Sequence, residues 1–396
     1  MSSPDAAASR WRVILAGIAA LVLSVGLARF AYTPMLPIMR ADAGLSAMAG
    51  GWLATVNYGG YMLGALIAAS VGHLSHKYHL YRLWLVAAVL TTGAMGLTHD
   101  PVIWAMLRFV AGLSSTAGLL LASGLVLNWL LRHGFRPQLG LHFTGLGLGV
   151  AISGLAVEAM SRGVSWDQQW LLLGGLGLVF FLPAWLWMPA PASVHQQTLL
   201  TAPRHPGQRW MLWLIAAYFC AGFGYVISAT FIVAIVEKLP VLAGQGTWVW
   251  VIVGLAALPS SFLWDAAAHR WGHARALLLA YATQIVSILL PALNDGAVLN
   301  ILSAVLYGGT FVGIVSLTLA LIGRYFPLNP AKAMARLTLS YGVAQVLAPA
   351  IAGYIARESG SYRGSLLIAA AAMMVGMACL VATQVQERRV TASEGA

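Results

Sequence analysis

Phe30-Ala31-Tyr32-Thr33-Pro34 has a counterpart in Phe223-Gly224-Tyr225-Val226-Ile227, 193 residues further along the chain. Overlaid without a gap at that offset, residues 1–193 and 194–386 also bring His76 onto His269 and Arg82 onto Arg275. Pro137 falls on Pro330, and Gly149-Val150-Ala151 falls on Gly342-Val343-Ala344. In so apolar a chain Leu, Ala and Gly coincide by chance, so the rarer residues at the ends and bends of segments carry the repeat. A duplicated membrane bundle places a binding site between its halves, and the pattern therefore points toward transport.

Composition leaves little room for a soluble protein. Of 396 residues 60% are hydrophobic and 8% charged, with a mean hydropathy of +0.81, too few polar groups to cover an ordinary surface. Twelve apolar segments follow: 12–39, 48–71, 83–98, 101–130, 138–160, 166–188, 210–236, 246–264, 276–293, 297–323, 333–356 and 364–385. Most reach the roughly 17–25 residues a spanning helix requires, and 83–98 is the weakest. No alternating ten-residue segments of a barrel are present. The fold class expected is an all-α membrane protein, with twelve transmembrane helices arranged as two six-helix parallel pseudo-repeats.

The net charge of +11 looks at first like a nucleic-acid footprint, but its distribution argues for topology. With the N-terminus inside, 15 of the 22 Lys and Arg fall on the cytoplasmic side, 5 outside, and Arg29 and Arg108 within segments. That asymmetry predicts a bacterial inner membrane protein with both termini cytoplasmic, and no nucleic-acid partner. The Pro-rich polar stretch 189–209 reads as a cytoplasmic linker between an N-terminal bundle (1–188) and a C-terminal bundle (210–396). The first segment is too long for a removed signal peptide. Cys220 and Cys379, both inside segments, read as small packing residues, with no disulfide framework or metal motif.

Six plus six helices, a basic turn after helix 2 repeated after helix 8, and Arg108-x-x-x-Gly112 in helix 4 resemble the major facilitator superfamily. Helix 1 (Gly26-Leu-Ala-Arg29-Phe30-Ala-Tyr32-Thr33-Pro34), helix 7 (Gly222-Phe-Gly-Tyr225 through Thr230-Phe231) and Gln345-Val-Leu-Ala-Pro349 are similar to its YbfB/YjiJ-type bacterial branch. The resemblance implies alternating access by two rocking halves, with helices 1 and 4 lining the N-terminal side of the cavity. It also implies gating by the basic turns, here Gly72, His76, Lys77 and Arg82, then Asp265, His269, Arg270, Gly272 and Arg275. His stands in both copies where the family carries an acid that latches the halves in the outward-open state. A neutral His accepts a hydrogen bond but supplies no fixed negative charge. Asp265, one helical turn before His269, is a candidate substitute; the bland alternative is that these turns only enforce orientation.

An arginine in hydrocarbon is expensive unless it faces protein or water, so Arg29 and Arg108 are the main chemical clue. Guanidinium groups bind carboxylates and phosphates through paired hydrogen bonds, which points to a small organic anion as cargo. The competing reading has either arginine bonded to a backbone carbonyl or reaching the outer headgroups. Glu158 and Glu237, the acids able to neutralise them, fall at the outer ends of helices 5 and 7. Tyr32, Asn57, Tyr61, Tyr225, Thr230 and Gln345 sit near mid-helix as further substrate-binding candidates, or as buried interhelical hydrogen bonds. Trp11, Trp52, Trp166, Trp170 and Trp210 read as interfacial anchors. Pro34, Pro37, Pro259 and Pro349 read as kinks, and Gly145, Gly147 and Gly149 as a close crossing. His73, His76 and His79 share a helical face without completing a metal site, and His142 reads as packing.

These features predict a secondary transporter, with proton coupling or anion exchange, working as a monomer among membrane lipids. No cofactor, metal or catalytic residue is expected, and no nucleotide-binding loop is present. A proton-coupled multidrug or metabolite exporter is the alternative, weakened by the missing Gly-Pro motif in helix 5. A cargo-sensing membrane receptor is the alternative from another class, with tails too short for a signalling domain.

Overall fold

The computed structural model describes residues 4–135, 139–191, 207–326 and 330–394. Most of the linker expected at 189–209, with Arg204, and also Arg136 and Pro137 lie outside the described residues. The N-terminal half comprises α1 (Ser9–Asp42), α2 (Ala47–Ser70), α3 (Leu74–Leu97), α4 (Pro101–Arg132), α5 (Gly140–Met160) and α6 (Trp166–Leu186). The C-terminal half comprises α7 (Gln208–Val236), α8 (Gly246–Ala257 continued by Ser260–Trp271), α9 (His273–Leu293), α10 (Ala297–Tyr325), α11 (Pro330–Ser359) and α12 (Arg363–Glu394). Each of the twelve expected segments is a helix.

Among the described residues ten of these helices are long and apolar enough to cross a membrane, and α8 makes eleven when its two pieces are one span. Its 42° bend falls at Pro259, where proline removes a backbone donor. α2, at 24 residues, has the length, but Asn57, Tyr58, Tyr61 and its glycines dilute its apolar character. The weak segment 83–98 is instead a full helix beginning at Leu74. Tyr81 and Tyr78 there donate to the carbonyls of Ala184 (2.7 Å) and Met188 (3.3 Å) at the end of α6, which holds the polar first turns in helical register. His76, Lys77 and Arg82 therefore lie inside α3, and the turn itself is only 71–73.

That placement corrects the gapless repeat at one point. His76 occupies the start of α3, whereas His269 occupies the last turn of α8. The second hairpin turns later, at Gly272, whose φ of +88° suits a residue without a side chain. The offset holds at α1/α7, α4/α10 and α5/α11 and slips at α2/α8 and α3/α9.

Small residues set the crossings. Gly145 and Gly149 bring α5 against α1 at Ile18 and Gly26, while Gly147 on the other face brings it against Gly254 and Leu258 of α8. Gly51 and Gly353 let α2 meet α11 at Pro349. At Gly112 a side chain would run into the Asn57 carbonyl, so Arg108-x-x-x-Gly112 fixes the approach of α4 to α2. Outward-facing positions such as Leu90, Leu182, Leu263 and Val298 are exposed apolar residues, as lipid contact requires. Trp166, Trp170 and Trp210, expected as interfacial anchors, are buried in the bundle; Trp210 donates to Glu387 at 2.8 Å. Trp11 and Trp52 are half exposed, as an anchor would be. Their buried counterparts sit on helix faces turned toward neighbours, which a position near a helix end does not reveal.

The two halves close against each other on the side away from the termini. Thr33 Oγ1 donates to the Ala229 carbonyl (2.6 Å), Thr55 Oγ1 to that of Val346 (2.9 Å), and Trp250 Nε1 to Ser153 Oγ (3.2 Å). Thr247 Oγ1 donates to the Glu158 carboxylate, and Arg40 reaches the Tyr362 hydroxyl at 3.5 Å. The outer part of α1 touches α7. Toward the terminus face the α5/α8 pair still touches, through Gly140 and Phe262.

Candidate functional site: a cationic, aromatic-walled central cavity

α1 and α4 each contain a π-helical stretch. α1 winds as a π-helix from Val22 to Phe30, and α4 does so from Ala117 to Ala122. Such stretches widen the helix and free backbone groups, often at functional sites. With i→i+5 bonding the Arg29 carbonyl would look to the nitrogen of Pro34, which carries no hydrogen. Arg108 fills that gap. Its Nη1 donates to the Ala28 carbonyl (2.9 Å) and its Nη2 to the Arg29 carbonyl (3.2 Å). The guanidinium lies over the Tyr32 ring at 4.4 Å, and Asn57 Nδ2 donates back to the Arg108 carbonyl at 2.8 Å. Arg108 is thus 2% exposed and bonded to backbone, the geometry of the glue reading.

Arg29 is different. It is 4% exposed and lies on the wall of a central cavity of about 150 Å³ between the halves. Its guanidinium carbon stands 4.3 Å from the Tyr58 ring centre and 4.6 Å from that of Tyr61. No carboxylate among the described residues pairs with it, and Nε has no hydrogen-bond partner. Desolvating an ion costs several kcal/mol even after relaxation, against about 2 kcal/mol for a desolvated cation–π contact. The Tyr58 and Tyr61 faces and a hydrogen bond to the Tyr58 side chain compensate for that burial, but none of them supplies a negative charge.

The opposite wall comes from the C-terminal half. Tyr218 and Tyr225 on α7, Phe311 on α10 and Tyr341 on α11 form one aromatic surface, with ring centres 4.5 Å apart for Tyr218 and Tyr341 and 5.6 Å for Tyr225 and Phe311. Tyr307 steadies it by donating to the Tyr225 carbonyl at 3.1 Å. Gln345 and Thr338 supply polar atoms, and Gln345 Oε1 is unpaired and buried. Tyr61, Leu120 and Thr338 also border a second cleft of about 280 Å³, which runs between α2, α4 and α11 toward Lys77 at the terminus face. The cavity lies beneath the far-side contacts between the halves and shares Tyr61, Leu120 and Thr338 with that cleft.

Of the substrate-binding candidates the structure gathers Arg29, Tyr61, Tyr225 and Gln345 around the cavity. The others stand away from it. Tyr32 donates to the Gly50 carbonyl (2.9 Å) beneath Arg108, Asn57 supports α4, and Thr230 is buried on α7 outside the cavity wall. The outer acids are engaged elsewhere: Glu158 takes Thr247, and Glu237 takes the amides of Gly244 (2.7 Å) and Gly246 (2.8 Å). The aromatic wall was not foreseen, because its members come from three helices with no shared spacing; only Tyr225 carried a repeat signal.

The gating candidates lie toward the terminus face, and their contacts stay within their own half. Arg82 stacks on Trp185 at 3.5 Å, while His269 Nδ1 lies 2.8 Å from the Asp265 carbonyl and 3.6 Å from its carboxylate. Arg270, Gly272 and Arg275 are exposed near them, as are Gly72 and His76 in the first half. Among the described residues no cluster of three His, Cys, Asp or Glu side chains is poised for a metal. His142 is buried away from the cavity: Nε2 meets Ser123 Oγ at 2.8 Å and the ring packs on Gly17.

The fold is shared with solved transporters. The chain superposes on a point mutant of the nucleoside transporter NupG with a TM-score of 0.73 at 13% identity, covering 94% of this chain and 99% of that one. On a bacterial homologue of the human lysosomal transporter Spinster, solved inward-facing and unoccupied, the TM-score is 0.66 at 15% identity, covering 98% of both. In sequence it is 24% identical to the "Uncharacterized transporter YycB" of Bacillus subtilis over 375 residues, 91% of each chain. It is 29% identical over 258 residues to the "Uncharacterized 38 kDa protein in 23S RNA operon" of Thermoproteus tenax, 63% of each. Residues 21–381 match the family described as "Uncharacterised MFS-type transporter YbfB", and the chain belongs to that family of multi-pass membrane transporters.

Proposed function

We propose that this transporter carries a small organic anion by alternating access, with Arg29 as the group that holds it. The observation behind this reading is a buried cation on the cavity wall that has no carboxylate partner among the described residues. A cargo carboxylate would supply the missing hydrogen-bond acceptor and charge. Among the described residues the cavity wall carries no Asp, Glu or His, which favours anion exchange over a proton carrier at the site. In that scheme the halves return readily only when Arg29 is again neutralised by a second anion. With the basic face placed toward the cytoplasm of a bacterial inner membrane, the cleft beside Lys77 is the inward exit.

Proteoliposomes loaded with unlabelled benzoate or lactate and given the labelled compound outside test both parts. Uptake that needs internal anion and is lost in Arg29→Gln is the expected result. Uptake driven by a proton gradient into anion-free vesicles would replace exchange with symport. Transport of neutral solutes alone, unchanged in Arg29→Gln, would end the anion reading.

A further inference from the structure

We infer that the anion this site takes is an aromatic monocarboxylate, a single planar ring bearing one carboxylate. The inference deepens the anion reading and rests on it. Three features of the cavity narrow the cargo. The first is its size. About 150 Å³ is the volume of a protein cavity that accommodates one benzene molecule, and a carboxylate projecting from such a ring would reach Arg29 at the wall.

The second is the surface offered to the body of the cargo. Phe30, Tyr61 and Phe143 face the cavity from the N-terminal half, and Tyr218, Tyr225, Phe311 and Tyr341 from the other. Tyr225 stacks within 6 Å of both Phe311 and Tyr341, at interplanar angles of 26° and 28°, so three rings lie together on one side of the cavity, where a flat ring can add edge-on or offset. The remaining wall is mainly Val and Leu, with Ser316, Thr338 and Gln345 as its neutral polar side chains beside the tyrosine hydroxyls, so the body of the cargo meets mostly apolar and aromatic surface.

The third is charge count. Arg29 is the only cation among the described residues lining the cavity, so a second carboxylate would be buried without a partner. A cationic cargo is disfavoured by repulsion from Arg29, which no carboxylate on the cavity wall offsets among the described residues. The neighbouring cleft fits the entry of such a molecule: Met62, Ala65, Leu66 and Leu339 give it an apolar wall, and Lys77 stands at its end.

Binding to the purified full chain, measured by calorimetry and thermal stabilisation, tests this with benzoate, benzamide, propionate and phthalate. Benzoate should bind. Propionate, which forgoes most of the ring contact, should bind at least ~30-fold more weakly by the area it leaves unburied. Benzamide and phthalate should each be weaker than benzoate by about tenfold or more, one lacking the charge and the other carrying an unpaired one. Phe311→Leu and Tyr341→Leu should each weaken benzoate more than propionate and so narrow the gap between them. Propionate binding as tightly as benzoate would overturn the aromatic inference and leave the anion reading standing. Benzamide binding as tightly as benzoate, or no binding by any carboxylate, would overturn both.

Discussion

The two halves share a plan and differ in what they bring to the cavity. The N-terminal half contributes charge on distorted helices: α1 and α4 both contain π-helical stretches and carry Arg29 and Arg108. Their counterparts α7 and α10 run unbroken for 29 residues each and contribute rings. At the position matching Arg29, α7 has Gly222, and the space is filled by Tyr341, whose ring lies 3.1 Å from where a Cβ would stand. The matched pair Tyr32 and Tyr225 diverge likewise, one holding the Gly50 carbonyl under Arg108 and the other facing the cavity. Duplication supplied a symmetric scaffold, and the asymmetry of its contents put Arg29 on one wall and a cluster of four rings on the other.

The sharpest test of that division sets the two arginines against each other. Arg29→Gln should weaken carboxylate binding by about 30-fold or more, since loss of one partner from a buried charge pair costs ~2–5 kcal/mol, while thermal stability in detergent holds or rises. Arg108→Ala should do the reverse first: two buried carbonyls lose their donors, and stability should fall by ~2–5 kcal/mol in a thermal or denaturant unfolding assay. If Arg29→Gln unfolds the protein and Arg108→Ala does not, the assignment of roles is inverted.

Making the halves more alike should also be penalised. Gly222→Ala places a methyl 2.7 Å from the Tyr341 carbonyl, and a loss of about 1–3 kcal/mol is expected in the same unfolding assay, together with weaker binding as Tyr341 shifts. Tyr32→Phe should lower stability by ~1 kcal/mol through its lost bond to Gly50, with ligand affinity unchanged; Tyr225→Ala should lower affinity. At the smallest end, Asp265→Asn breaks an exposed pair with His269 and should alter stability by less than ~0.5 kcal/mol. A large effect on transport rate from that substitution, read in proteoliposomes, would show that the pair serves gating beyond its own helix.

Much of the fold was legible. The twelve segments, the separation into halves and the repeat at helices 1 and 7 follow from apolar runs of spanning length and from rare residues recurring at one offset. The glycines of α5 announced a close crossing, and the structure shows them alternating between α1 and α8. Less legible was the turn between α2 and α3. Its polar first residues read as loop, although Tyr78 and Tyr81 bind them into a helix through carbonyls a hundred residues away. The repeat's coincidence of His76 with His269 misled for the same reason: similarity at one offset does not know where the chain turns.

The site divides along the same line. A sequence on its own determined that two guanidinium groups lie at membrane depth, because hydrophobicity and length fix which residues are immersed. It could not distinguish them, since both are Arg in apolar helices. Only the tertiary structure decided that Arg108 meets carbonyls left free where α1 departs from regular winding beside Pro34, while Arg29 meets rings and open space. The aromatic wall likewise exists only once α7, α10 and α11 are side by side. Immersion is a property of a segment and is written locally; complementarity to a ligand belongs to surfaces that the chain assembles from distant places.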